Sequence, residues 1–105
     1  MALTPSTMLA LGTEAPDFQL PATDGSIVTR DSLRDAPALL VMFICNHCPY
    51  VKHVRPELAR LGRDYEARGV AVVAISSNDP IAFPDDAPDK MAEEKVSAGY
   101  TFPYL

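Results

Sequence analysis

Two cysteines occur in this 105-residue chain, and they lie three positions apart, at Cys45 and Cys48, with Asn46 and His47 between them. A cross-link that short removes little entropy from the unfolded chain, so the spacing asks for a chemical explanation rather than a structural one. In a reducing compartment such a pair is catalytic or metal-binding. Two thiols at the start of a helix can act in turn: one attacks a substrate disulfide, and the other closes on it and resolves the mixed disulfide. The unpaired N–H groups and positive dipole end of a helix favour thiolate over thiol, and lower a cysteine pKa from about 8.5 to about 7 or below. Cys45 is the expected nucleophile, because the first position lies beyond the helix end and is the more exposed, and Cys48, one turn in, is the expected resolving thiol. His47, when protonated, is expected to stabilise the Cys45 thiolate and make the disulfide more oxidising. An apolar residue at position 47 should then raise the Cys45 pKa and make the couple more reducing.

Other chemistries compete for the same residues. Cys45, His47, Cys48 and His53 offer up to four ligands within nine residues, which is the alternative of a metal-binding or redox-sensing module. Four ligands crowded onto one helix start converge poorly on a tetrahedron, and the chain has no second Cys-x-x-Cys, so no metal and no other cofactor is expected. An inert core pair is the bland reading. A covalent haem is disfavoured because Pro49, not His, follows Cys48. His53 and Lys52 read as solvated helix residues, although Lys52 is near enough to bias a thiolate. Asp85, Asp86, Glu93 and Glu94 read as solvated charges rather than acid–base groups. Ser76–Asp79 leaves an apolar strand toward the same rim as the cysteines, and is a candidate for substrate contact.

The elements that must position the thiols are legible. Ala38 to Ile44 reads Ala-Leu-Leu-Val-Met-Phe-Ile, an unbroken apolar run that suits a strand buried on both faces in mid-sheet. Val51, Val54, Leu58, Leu61 and Tyr65 recur at helical spacing, and Asn46 to Cys48 with Pro49 forms a plausible helix start. Pro56 should kink that helix, and Gly69 ends it. Val70 to Ile75 is a second apolar strand, so the order strand, helix, strand makes a parallel βαβ unit and the fold class α/β. Upstream, Asp17 to Leu20 and Ser26 to Thr29 flank an Asp24-Gly25 turn and predict a hairpin, with one helical turn at Asp31 to Leu33. Downstream, a Pro-rich loop over 76–89 leads to a weaker helix, Lys90 to Ala98, and Thr101 to Leu105 begins another strand. Residues 1–11 are unpatterned and expected to be a flexible arm, with the domain occupying 12–105.

A net charge of −5 without a basic stripe disfavours phosphate-backbone binding, so nucleic acid is not an expected partner. No apolar stretch approaches the roughly 18 residues of a membrane span. The first residues lack a basic start and a long apolar block, which leaves a cytoplasmic setting as the expectation.

Gly12-Thr13-Glu14-Ala15-Pro16-Asp17-Phe18-Gln19-Leu20, the Asp24-Gly25 turn, Phe43 through Lys52 with its Asn-His-Cys-Pro-Tyr context, and Val73 through Asp79 resemble the thioredoxin-like redoxins. That superfamily includes the alkyl hydroperoxide reductase and thiol-specific antioxidant proteins. The resemblance implies a thioredoxin-like fold with Cys45 and Cys48 as the redox pair, acting on a protein or small-molecule disulfide. Peroxiredoxins carry a Pro and a Thr upstream of a peroxidatic Cys that precedes Pro; Cys48-Pro49 matches the end of that motif, whereas Val41 and Cys45 stand at the earlier positions. A hydroperoxide-consuming peroxidase with Cys48 as the attacked thiol is the enzymatic alternative. Family members continue past the position of Leu105 into a cis-proline, two antiparallel strands and a helix, so the fold is expected to be incomplete. The chain is then expected to be a fragment of a longer protein, or to complete its sheet by self-association through an open edge of the first apolar strand.

Overall fold

The computed structural model describes Pro5 and residues 7–105. The expected arm over 1–11 falls partly on residues 1–4 and 6, which lie outside the described residues; Met8 to Leu11 are exposed and belong to no helix or strand. The hairpin of β1 (Gln19–Pro21) and β2 (Ile27–Thr29) pairs antiparallel with Leu20 opposite Val28. Its turn follows from side-chain chemistry. Asp24 Oδ1 accepts the Ser26 N–H at 2.9 Å and the Ser26 hydroxyl at 2.6 Å, and Gly25 takes φ +89°, a left-handed conformation that glycine reaches without a Cβ penalty. A 3₁₀ turn over Asp31–Leu33 follows, as expected.

β3 (Ala38–Phe43) and β4 (Val70–Ile75) pair in parallel, Ala38 opposite Val70 through Phe43 opposite Ile75, and are joined by α1 (Pro49–Glu66). Gly69, at φ +87°, reverses the chain after α1. α2 (Pro88–Ala98) ends on Gly99, whose N–H reaches the Lys95 and Val96 carbonyls. It starts two residues earlier than its pattern indicates, because Pro88 fits the first helical position. The segment after α2 returns to β4: Ala74 bridges Tyr104 in parallel, with Leu105 N–H to the Ala74 carbonyl at 2.8 Å and Ser76 N–H to the Leu105 carbonyl at 2.8 Å.

β4 therefore has neighbours on both edges and cover on both faces. Val72 and Ala74 point to the helices, in a cluster with Ala59, Met91, Tyr100, Phe102 and Tyr104. Val73 and Ile75 point the other way and meet Leu105, with Phe18, Leu20 and Val28 from the hairpin region. The architecture is a helical layer, a short parallel sheet and a hairpin layer.

Two expectations are corrected here. β3 lies at a sheet edge, not in mid-sheet: among the described residues its only strand partner is β4, and Phe43 is 70% exposed. Its apolar run is nevertheless real, and Val41 and Phe43 line an apolar groove of about 470 Å³ with Leu9 and Phe18. The buried stripe of α1 is also rotated from the Val51, Val54, Leu58, Leu61, Tyr65 line. Val54 and Tyr65 are exposed, whereas Ala59 and Gly62 are buried. The reason is close approach: a Cβ on Gly62 would stand 2.7 Å from Phe102 Cδ1, so the smallest residue lets the fully buried Phe102 ring reach the helix backbone. Arg55 turns inward with that stripe and pairs with Glu94 of α2 at 3.3 Å. α1 continues as a helix through Pro56.

Candidate functional site

The ladder between β3 and β4 ends with Ile44 N–H donating to the Ile75 carbonyl at 3.0 Å, and the cysteine segment begins there. Cys45, Asn46 and His47 form a bend beyond the strand, and Cys48 is the N-cap of α1, with extended backbone (φ −66°, ψ 122°) and Pro49 at the first helical position. Cys48 is thus not a turn into the helix, and Asn46 is not its cap. Asn46 is instead buried and held at both ends of its amide. Its Oδ1 accepts the Tyr104 hydroxyl at 2.8 Å, and its Nδ2 donates to the Asp85 carbonyl at 2.8 Å.

Asp86 organises this bend. Its side chain is fully buried, and its two oxygens take four donors. Oδ1 accepts the backbone N–H groups of Asn46 at 2.7 Å and His47 at 3.2 Å; Oδ2 accepts Asn78 Nδ2 at 3.0 Å and pairs with His47 Nδ1. Burial pushes the carboxyl pKa up, but hydrogen bonds from Asn78, Asn46 and His47 outweigh it and hold the group below the usual aspartate range. The His47 ring is clamped on its face by Phe83, with centroids 4.5 Å apart and planes 6° from parallel. The expectation that Asp86 is a solvated loop charge is overturned. Asp85 beside it is exposed, and the 3₁₀ turn over Pro84–Asp86 points only the second of the two carboxylates inward.

Both cysteines are free thiols. Cys45 is half-buried and Cys48 is 5% exposed, so the first is the more accessible. Burial pushes the Cys45 thiol pKa up; the Cys48 N–H works against this, while the charges of Asp86 and Cys48 add to the rise. The lowered Cys45 pKa expected from the helix tip is therefore corrected: desolvation, joined by the charge of the buried carboxylate, outweighs the hydrogen bond from the Cys48 N–H. Four chain segments meet at this rim, the ends of β3 and β4, the turn before α2 and the Tyr104 segment that bridges β4, which is where parallel sheets present their functional groups. Ser76 and Asn78 also line a cavity of about 300 Å³ that reaches Asp86.

The four-residue metal set read from the sequence does not assemble. His53 is exposed on α1, and the cluster among the described residues is Cys45, His47 and Asp86, whose potential ligand atoms lie within 4.8 Å of one another. A carboxylate has about four lone-pair sites, and Asp86 already receives four donors, so this set fits a proton-handling group better than an ion.

Residues 11–105 match the AhpC/TSA family. The chain belongs to that family. No curated protein is similar to this AhpC/TSA chain at a significant level. Among solved structures, it is 46% identical to a hypothetical protein from Sinorhizobium meliloti 1021, with a TM-score of 0.90 over 94% of this chain and 54% of that one. It is 48% identical to an uncharacterized conserved protein from Geobacillus kaustophilus, with a TM-score of 0.89 over 94% of this chain and 53% of that one. The AhpC/TSA chain thus spans about half the length of these two similar structures. A thiol:disulfide interchange protein of the thioredoxin family from Chlorobium tepidum TLS shares the fold at 22% identity, with a TM-score of 0.73 over 93% of this chain and 62% of that one. The fold of this AhpC/TSA member is accordingly thioredoxin-like.

Proposed function

We propose that this redoxin-family chain carries the dithiol of a thiol–disulfide oxidoreductase, with Cys45 as nucleophile and Cys48 as resolving thiol. The observation that carries this reading is the placement of the pair. Cys45 is half-buried on a bend at the sheet rim, and Cys48 is sequestered as the cap of α1 with its N–H turned to the Cys45 sulfur. An incoming disulfide meets Cys45 first, and Cys48 is shielded from solvent until a mixed disulfide forms on its neighbour. A peroxidase that uses Cys48 requires a hydroperoxide to reach a sulfur in a residue only 5% exposed, which disfavours it. The exposed apolar edge of β3 supports self-association of this chain, which sedimentation tests through the fraction of dimer.

The function is tested by offering the protein an insulin-type disulfide with a thiol reductant and, separately, a hydroperoxide. Disulfide reduction that is lost in Cys45→Ser supports the proposal. Hydroperoxide consumption that survives Cys45→Ser and is lost in Cys48→Ser overturns it in favour of the peroxidase.

A further inference from the structure

We propose that Asp86 is the positioning residue of this site: it holds His47 in the tautomer with the proton on Nδ1, leaving Nε2 as the base that removes the Cys45 proton. This deepens the dithiol reading and rests on it.

Donors and acceptors fix the tautomer. Asp86 Oδ1 is occupied by two backbone N–H groups, and Asn78 Nδ2 donates to Oδ2. An ionised carboxylate only accepts, so the contact between Oδ2 and His47 Nδ1 requires the hydrogen on Nδ1. In the neutral ring the lone pair is then on Nε2. Phe83, stacked on the ring, fixes its plane, and Asp86 grips the His47 backbone as well as its side chain. One ring nitrogen of His47, one carboxylate oxygen of Asp86 and the Cys45 sulfur lie within 4.8 Å of one another, a separation that one water spans. Such a base has work to do here, because a half-buried thiol beside a carboxylate resists ionising unaided. Besides His47, the titratable groups around Cys45 are Asp86 from the 3₁₀ turn, Cys48 from the cap of α1 and Tyr104 from the segment that bridges β4.

The reaction balances as follows. Nε2 takes the Cys45 proton, and the thiolate attacks one sulfur of the substrate disulfide. That S–S bond breaks, its electron pair goes to the departing sulfur, and the imidazolium returns the proton to it. Cys48 then attacks the Cys45 sulfur, loses its own proton to the second departing thiolate, and forms the Cys45–Cys48 disulfide. The substrate disulfide gains two electrons and two protons, and the dithiol loses them.

The test is the pH dependence of iodoacetamide alkylation of Cys45 in a Cys48→Ser background, with and without Asp86→Asn. If Asp86 acted on Cys45 only as a nearby charge, its neutralisation would ease ionisation and speed alkylation at neutral pH. The inference requires the opposite sign. The amide NH₂ of asparagine donates to Nδ1, moves the ring proton to Nε2 and removes the base, so alkylation slows by about 10²-fold, the low end of a positioned general base. The rates converge at alkaline pH, where the thiol ionises without help. Faster alkylation, or a slowing equal at all pH values, overturns the inference. Should Asp86→Asn fail to fold, nitrogen-15 NMR of wild-type His47 decides the matter: a protonated Nδ1 with a bare Nε2 supports it, and the reverse tautomer overturns it. Wild-type disulfide exchange alongside the wrong tautomer sinks the Asp86 inference alone. Absence of exchange with any disulfide sinks the dithiol reading, and this inference with it.

Discussion

Replacement of Tyr104 by phenylalanine isolates the hydrogen bond that anchors the cysteine bend from below. The Tyr104 ring is fully buried, stands edge-on to Tyr100 at 6.0 Å and keeps that packing in Tyr104→Phe, since only the hydroxyl is lost. What disappears is the 2.8 Å bond to Asn46 Oδ1. Asn46 cannot re-pair by flipping its amide, because Nδ2 is already committed to the Asp85 carbonyl at 2.8 Å. A buried acceptor is thus orphaned at a residue only 7% exposed. The cost is that of an unsatisfied buried polar group, about 1–3 kcal/mol. At about 2 kcal/mol this lowers Tm by roughly 8–16 °C for a domain of this size. Asn46 also donates its backbone N–H to Asp86, so loosening it should expose Cys48. The assay is a thermal melt followed by circular dichroism, paired with the rate at which iodoacetamide modifies Cys48. A variant that melts with wild type and protects Cys48 equally well would refute the idea that Tyr104 braces the bend.

Further outcomes follow from the same geometry. Gly62→Ala gains about 1 kcal/mol of helix propensity but drives a Cβ to 2.7 Å from Phe102 Cδ1. Overpacking of that kind costs about 1–3 kcal/mol, so urea denaturation should show net destabilisation, and a more stable variant would contradict the close helix–ring contact. Asp86 has its pKa lowered in the fold by its donors, after burial has worked the other way. Its contribution to stability is present above the unfolded aspartate pKa and is lost as pH falls through the lower folded value. Tm measured against pH should therefore fall on the acid side in wild type and flatten there in Asp86→Asn; parallel acid limbs would remove Asp86 as their cause. Cys48→Ser should retain a small disulfide as a stable adduct on Cys45, whereas Cys45→Ser should leave Cys48 largely unmodified in the folded protein; peptide mapping by mass spectrometry distinguishes the two.

Periodicity and turn chemistry made most of the backbone legible. The Asp24-Gly25 turn, the two apolar strands and the helix between them stand where their patterns place them, because each depends on local spacing and burial. Failures begin where one element's environment depends on another. The run Ala38 to Ile44 is apolar enough for mid-sheet, but which strand has two neighbours was decided by Tyr104 docking on β4, a contact thirty residues away. The face of α1 was misjudged because the close contact is made by Ala59 and Gly62, whose small size carries no hydrophobic signal, while Val54 and Tyr65 remain exposed.

The site divides along the same line. Cys45, His47 and Cys48 were visible from their types and spacing, and the structure brings them together at the rim. Asp86 and Tyr104 were not, and Asn78 stood out only as part of the Ser76–Asp79 segment, as a candidate for substrate contact rather than as a donor to Asp86. An aspartate in a Pro-rich loop reads as solvated charge unless its donors are known, and two of the four are backbone groups about forty residues earlier in the chain. The hint in the same loop was Phe83 and Pro84 before Asp86, an aromatic ring that stacks on His47 and the residue that opens the 3₁₀ turn. The expected depression of the Cys45 pKa failed because burial of the thiol, and after it the charge of the buried carboxylate, are set by the tertiary fold, whereas only the helix tip was visible in the sequence.

The central claim is that the two sulfurs exchange with an external disulfide as one unit. Reduced wild-type protein mixed with a limiting small-molecule disulfide, quenched with acid and mapped by mass spectrometry, puts it to trial. The account predicts a peptide with Cys45 joined to Cys48 and both halves of the small disulfide released as thiols. A lasting adduct on either cysteine, or two thiols that stay reduced, contradicts it.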